Sequence, residues 1–138
     1  MITIDLARRL VAGGVLWEPQ PGDRFTIDQP GVAGEVFWIS ELTVDVHSYH
    51  GQPLLGFNGT TEWALDSVTL DTALWLPRED QLRALLGDRF RRLSRDGSSW
   101  TVALLAPHAA DADSDADITR VTDVDAECAY ARALLTLT

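Results

Sequence analysis

Lysine is missing altogether: every one of the 11 basic residues among 138 is an arginine, against 21 acids. A chain rich in Ala, Arg and Asp but without Lys is what a high-GC coding bias produces, so the absence is assigned to codon usage. It still excludes a glycine-rich loop whose lysine holds phosphates. Cysteine is nearly missing too. The single Cys128 has no partner for an internal disulfide and no Cys or His at metal spacing, which points to a reducing, cytoplasmic location. No apolar run approaches the roughly 18 residues of a membrane span. The first ten residues mix acid and base at helical spacing instead of forming the apolar region of a signal peptide. Positive charge is in deficit, and the net −10 argues against non-specific binding to nucleic acid or anionic membrane while suiting a basic partner.

What is present is the composition of an ordinary globular chain. With 46% hydrophobic residues and five Trp, the length suits one domain, 1–138, that buries its core without staples. The stretch Leu54 to Ser67 organises the pattern. Leu54 to Phe57 reads as a buried strand, Asn58-Gly59 as a turn tolerant of positive φ, and Thr60 or Thr61 as the cap of a helix running to about Val68, with Glu62 at its positive end. Ahead of it come a helix over Ile4–Ala12 ended by Gly13-Gly14, a strand at Arg24–Ile27, and a strand at Glu35–Ser40. That last strand is apolar on both faces, as a central strand would be. Leu42–His47 alternates, with Leu42, Val44 and Val46 inward.

Beyond the organising stretch, Thr72–Leu76 is a strand stopped by Pro77. Arg78–Gly87 is a helix with Glu79 and Asp80 in its first turn and Gly87 as its cap. Phe90–Arg95 and Trp100–Ala106 form a hairpin about Asp96-Gly97. Pro107–Asp117 is a polar loop, expected to be mobile, Ile118–Val124 is a strand, and a helix starts at Asp125. The sum is an α+β fold with a mainly antiparallel sheet, an N-terminal helix, two internal helices and a C-terminal helix. Trp38 and Trp63 are expected in the core.

At Gly56 to Ser67, and again at Trp75 to Arg83, the chain resembles a family of short stand-alone bacterial proteins, common in actinobacteria and carried as hypothetical or as pilus-assembly (CpaE-like) proteins. The likeness extends to Leu16-Trp17-Glu18-Pro19, Pro21 to Phe25, Glu35-Val36-Phe37 and Asp125 to Leu135, and so covers most of the chain. It implies no catalytic residues. A pilus-assembly label suggests an ATPase, but a chain without lysine lacks the phosphate-binding loop of one, so the resemblance implies a partner of that machinery and not its motor.

Four features are weighed for function. Asn58-Gly59-Thr60 at a helix start would bind an anion through free amides, but Glu62 at the mouth opposes this and simple capping suffices. Glu41, Asp45, His47 and Tyr49 share one strand face, where an acid and a histidine are the material of a metal-dependent or acid/base enzyme with Glu62 as a further carboxylate; the outward side of Thr43, Asp45 and His47 is otherwise an ordinary solvated face. Asp111, Asp113, Asp115 and Asp117 mimic a calcium loop, yet from Asp111 position six is Ala116 and position twelve Thr122, where Gly and Glu are needed. Finally, residues 78–95 carry six Arg against three acids, and residues 111–127 carry seven acids against Arg120.

The two charged segments are expected to face one another. Otherwise Arg89, Arg91, Arg92 and Arg95, with Trp100, would form a face for a protein partner, nucleic acid being disfavoured by the net charge. Ser40, Ser67 and Cys128 lack a nucleophile signature, and no cofactor is implied. The sequence therefore favours a small acidic interaction or regulatory module over the Asp45/His47 enzyme.

Overall fold

The computed structural model describes residues 1–40, 44–49, 51–57, 67–109 and 114–138, with backbone alone at 44, 45, 47–49, 56, 57, 67 and 68. The fold is α+β. Its contacts divide into two compact units, one formed by Leu16–Leu76 and the other by Met1–Val15 together with Pro77–Thr138.

The Leu16–Leu76 unit holds two three-stranded antiparallel sheets. In the first, β1 (Arg24–Ile27) lies between β2 (Phe37–Trp38) and β6 (Ala73–Trp75); in the second, β4 (Gln52–Phe57) lies between β3 (Val44–Tyr49) and β5 (Ser67–Thr69). All four residues of β1 are buried. Phe25 and Ile27 join Ile39 and Leu55 in the core, flanked by Trp17, Phe37 and Leu70. The other side of β1 is covered by the loop that follows it, where Gly34 N donates to Thr26 Oγ1 at 3.1 Å. Trp17 stacks on Trp75 with ring centroids 6.3 Å apart. Its indole N–H donates to Asp23 at 2.9 Å, and Asp23 also accepts from Gln20 N, which satisfies a carboxylate only 2% exposed.

Four expectations are corrected in this unit. The segment expected as a central strand is a two-residue edge strand, because among the described residues β2 pairs with β1 alone. Trp38 is accordingly 50% exposed and not a core residue. Phe37 takes the inward position, its ring 5.5 Å from Phe25, so alternation turns Trp38 outward, where the Arg24 guanidinium lies over it at 5.6 Å. Val46, expected inward, is exposed. Of the helix expected at 61–68, the described part, Ser67 and Val68, is strand paired with β4, and the rest, with Trp63 and the Asn58-Gly59-Thr60 turn, lies outside the described residues.

The other unit is a three-stranded antiparallel sheet backed by helices. Its strands are β7 (Phe90–Asp96), β8 (Ser99–Leu105) and β9 (Ile118–Asp123), in that order. Helix α3 (Ala126–Leu135) packs on β8 and β9, and α1 (Ile4–Ala12) and α2 (Glu79–Leu86) pack on α3. The alanines of α3 let these neighbours approach closely, and Ala129, Tyr130, Ala131 and Ala133 are fully buried. Phe90 tilts against Tyr130 with centroids 5.7 Å apart, and Leu6, Leu82, Val102 and Leu104 complete the core at 1% exposure or less. Burying each such side chain contributes about 1.5–3 kcal/mol.

The helix ends follow their residues. Thr3 accepts from Leu6 N at 3.2 Å, Asp125 accepts from Cys128 N at 3.0 Å, and Gly87 ends α2 at φ 57°. Glu127, in the first turn of α3, accepts from Ile2 N at 3.0 Å and from Glu79 N at 3.3 Å, tying the starts of two segments to a third. The amino group of Met1 lies 2.6 Å from Asp125.

Candidate functional site

The sheet β8 belongs to has two unlike faces, fixed by register. Leu93, Val102 and Val121 are directly paired and turn towards α3 with Phe90 and Leu104, whereas Arg92, Ala103 and Arg120 are paired across the opposite, open face. One step along that open face, Ser94, Thr101 and Thr122 line up, with Thr101 Oγ1 and Thr122 Oγ1 hydrogen-bonded at 2.8 Å. Arg92 and Arg120 therefore flank a central alanine from the two outer strands, roughly two strand spacings or about 10 Å apart at their Cα atoms.

A bulge adds a third arginine. The pairing of β7 with β8 shifts between Phe90 and Arg92, leaving Arg91 as the extra residue. In a regular strand Arg91 and Arg92 would project from opposite faces; the bulge brings both to one open cavity of about 350 Å³, lined by Arg91, Arg92, Ala103, Asp115, Ile118 and Arg120. Arg91 also donates to the carbonyl oxygens of Asp88 and Phe90. Arg120 Nη2 lies 2.5 Å from Asp115 Oδ1. Among the described residues the Arg92 side chain makes no hydrogen bond or ion pair.

The five residues singled out from sequence are thus divided by the structure. Arg91 and Arg92 stand together. Arg89 is occupied by backbone, donating to Ala106 O at 2.9 Å and lying 3.4 Å from Pro107 O, and so fastens the end of β8. Arg95 and Trp100 are paired on the helix-facing side, the guanidinium 5.3 Å from the ring centroid and its Nε donating to Gly97 O at 3.0 Å. Arg120 is the residue sequence reasoning passed over, counted only as the lone base in an acidic segment. The alternation of Ile118, Arg120 and Thr122 marks its face, but the β8–β9 register that sets it beside Arg92 has no local signal.

The two oppositely charged segments both line this cavity, Arg91 and Arg92 from one and Asp115 and Arg120 from the other, but the ion pair there, Asp115 with Arg120, lies within the acidic segment. Elsewhere their charges are satisfied nearer home: Arg78 with Asp80 at 3.0 Å, Arg83 with Glu79, and Arg132 with Asp123 at 2.7 Å. The Arg78 hydrogen bond holds the Asp80 carboxyl below its usual range. Burial pushes Asp123 up, but the bond from Arg132 and the backbone amide of Asp125 outweigh it and hold the carboxyl low. Burial pushes the Cys128 thiol up, so it stays protonated and is a poor nucleophile.

The segment expected to be mobile is anchored at its far end: Asp115–Asp117 is a 3-10 turn, Ser114 caps it, and Ala106 N donates to Asp117 O at 2.8 Å. Asp111 and Asp113 lie outside the described residues, as do Glu41, Thr43, Glu62 and the side chains of Asp45, His47 and Tyr49. Among the described residues no three His, Cys, Asp or Glu side chains come together as metal ligands, and no helix is long and apolar enough to cross a membrane. Compared with protein-family models, curated proteins and solved structures, the chain matches none.

Proposed function

We propose that the chain is a non-catalytic interaction module, and that its contact face is the open side of the β7-β8-β9 sheet, receiving an acidic segment of a protein partner. One observation carries the reading: Arg92, without a partner among the described residues, shares a cavity with Arg91 and Arg120. Arginine forks match carboxylates bidentately, and the polar row of Ser94, Thr101 and Thr122 extends the face with groups able to hydrogen-bond a peptide. The net −10 of the chain disfavours nucleic acid as the occupant. The single protonated thiol and the composition suit a cytoplasmic setting, and the resemblance to proteins labelled pilus-assembly supplies one machinery in which to seek the partner.

The test is a paired measurement on Arg91→Gln with Arg92→Gln. Stability in a denaturant titration is expected to stay within about 0.5 kcal/mol, as for exposed residues in general, while recovery of bound proteins from host lysate falls. Unchanged recovery moves the interface off this sheet.

A further inference from the structure

Arg120 is already held by an acid of its own chain, and the way that acid is held suggests what the cavity takes. Asp115 projects from a single 3-10 turn, its side chain 85% exposed, with no packing to fix it. Its carboxylate nonetheless sits on one of three guanidinium groups that line the same space, so three cations are answered by one anion. Ala103, paired with both Arg92 and Arg120, keeps the floor low, and Ile118 supplies an apolar wall against which the methylene groups of a Glu side chain can lie.

We propose that this cavity is a carboxylate subsite and that Asp115 is its resident occupant, displaced from Arg120 when an acidic segment docks. The inference deepens the interaction role proposed above and rests on it. An incoming Glu or Asp replaces Asp115 on Arg120, and a second acid reaches Arg92 and Arg91. The released Asp115 side chain passes into water it already largely faces. The arrangement therefore selects segments with at least two neighbouring acids, because a single carboxylate only exchanges one ion pair for another.

Fluorescence anisotropy of a fluorescein-labelled hexaglutamate peptide with the full chain tests this. Asp115→Asn is expected to tighten binding about two- to fivefold, the span an exposed ion pair is worth; Asp115→Ser serves as a second variant with the same expectation. Asp117→Asn, on the same turn but outside the cavity lining, removes the same charge and is the control. Arg120→Gln is expected to weaken binding and to abolish the gain from Asp115→Asn, and Arg92→Gln to weaken binding with or without it.

Equal gains from Asp117→Asn and Asp115→Asn would reduce the effect to net charge and overturn the proposal, as would a gain that survives Arg120→Gln. Failure of wild type and Asp115→Asn alike to bind hexaglutamate would remove the subsite, while leaving the lysate recovery that depends on Arg91 and Arg92 to stand or fall separately. A phosphoserine peptide of equal length that binds more tightly than hexaglutamate would overturn the carboxylate assignment in favour of a phosphoryl one.

Discussion

Asp123 shows how a single carboxylate links local geometry to solution behaviour. It accepts from Arg132 Nε at 2.7 Å and from Asp125 N at 3.1 Å, and its carboxyl is held low although burial alone would raise it. A group depressed in the fold contributes stability that is present above its unfolded value, near 3.8, and is lost as pH falls through the folded one. Asp123→Asn is therefore expected to melt a few degrees below wild type at neutral pH, the shift that about 1 kcal/mol makes in a chain of this size. The two melting temperatures should converge as pH is lowered below 3.8 and through the depressed folded value. A constant gap across that range, followed by circular dichroism, would mean that Asp123 acts by packing and not by charge.

Residue identities of this kind were only partly legible. Asp125 as a helix start and Gly87 as a helix end follow from side-chain chemistry alone and occur where expected. Trp38 does not, because a strand apolar on both sides gives no sign of which neighbour is missing, and only the pairing with β1 alone leaves it exposed. Arg89 and Arg92 look alike in sequence. One is spent on the carbonyls at the end of β8 and the other points into the cavity, a difference made by a bulge that no local pattern announces.

Among the elements, α3 is the one through which the helical unit is joined, and Glu127 is its principal polar link. The carboxylate accepts backbone amides from Ile2 and from Glu79, the latter a first-turn amide of α2 that has no acceptor within its own helix. Its side chain is 17% exposed, so deleting it would leave two poorly solvated N–H groups without an acceptor. Glu127→Ala is expected to lower stability by about 2 kcal/mol or more in a urea titration, from the desolvation cost of such groups. Glu127→Gln keeps an acceptor and should recover part of the loss. Some element boundaries were legible, α1 spanning Ile4–Ala12 and β1 Arg24–Ile27 as the pattern indicates, whereas the strand expected at Glu35–Ser40 is only Phe37–Trp38. Strand partners were not, since register across β8 and β9 depends on contacts distant in sequence.

Over the whole molecule, the proposed face is a small positive region on a chain of net charge −10, and the two fields act over different ranges. At about 0.01 M salt the screening length is roughly 30 Å, so an acidic peptide feels the repulsion of the entire chain; at 0.15 M it is about 8 Å and mainly the nearby arginines are felt; at 1 M it is about 3 Å and little of either remains. The association rate of an acidic peptide is thus expected to pass through a maximum at intermediate salt. A stopped-flow series that falls monotonically from the lowest salt would show that the arginine face dominates at every distance, and one that only rises would show that it contributes nothing.

The chain order of the helical unit has a consequence for its birth. Its helix α1 is made before the 61 residues of Leu16–Leu76, and α3, on which it packs, is made after them. At about 5–20 residues per second, α1 leaves the ribosome on the order of ten seconds ahead of α3, with Leu6 and Leu10 uncovered throughout. The inserted unit, continuous in sequence, has all its own strands in hand during that wait. Translation therefore delivers a finished sheet pair in the middle of an unfinished neighbour, and a nascent chain stalled before Asp125 would offer a chaperone one bare amphipathic helix to hold.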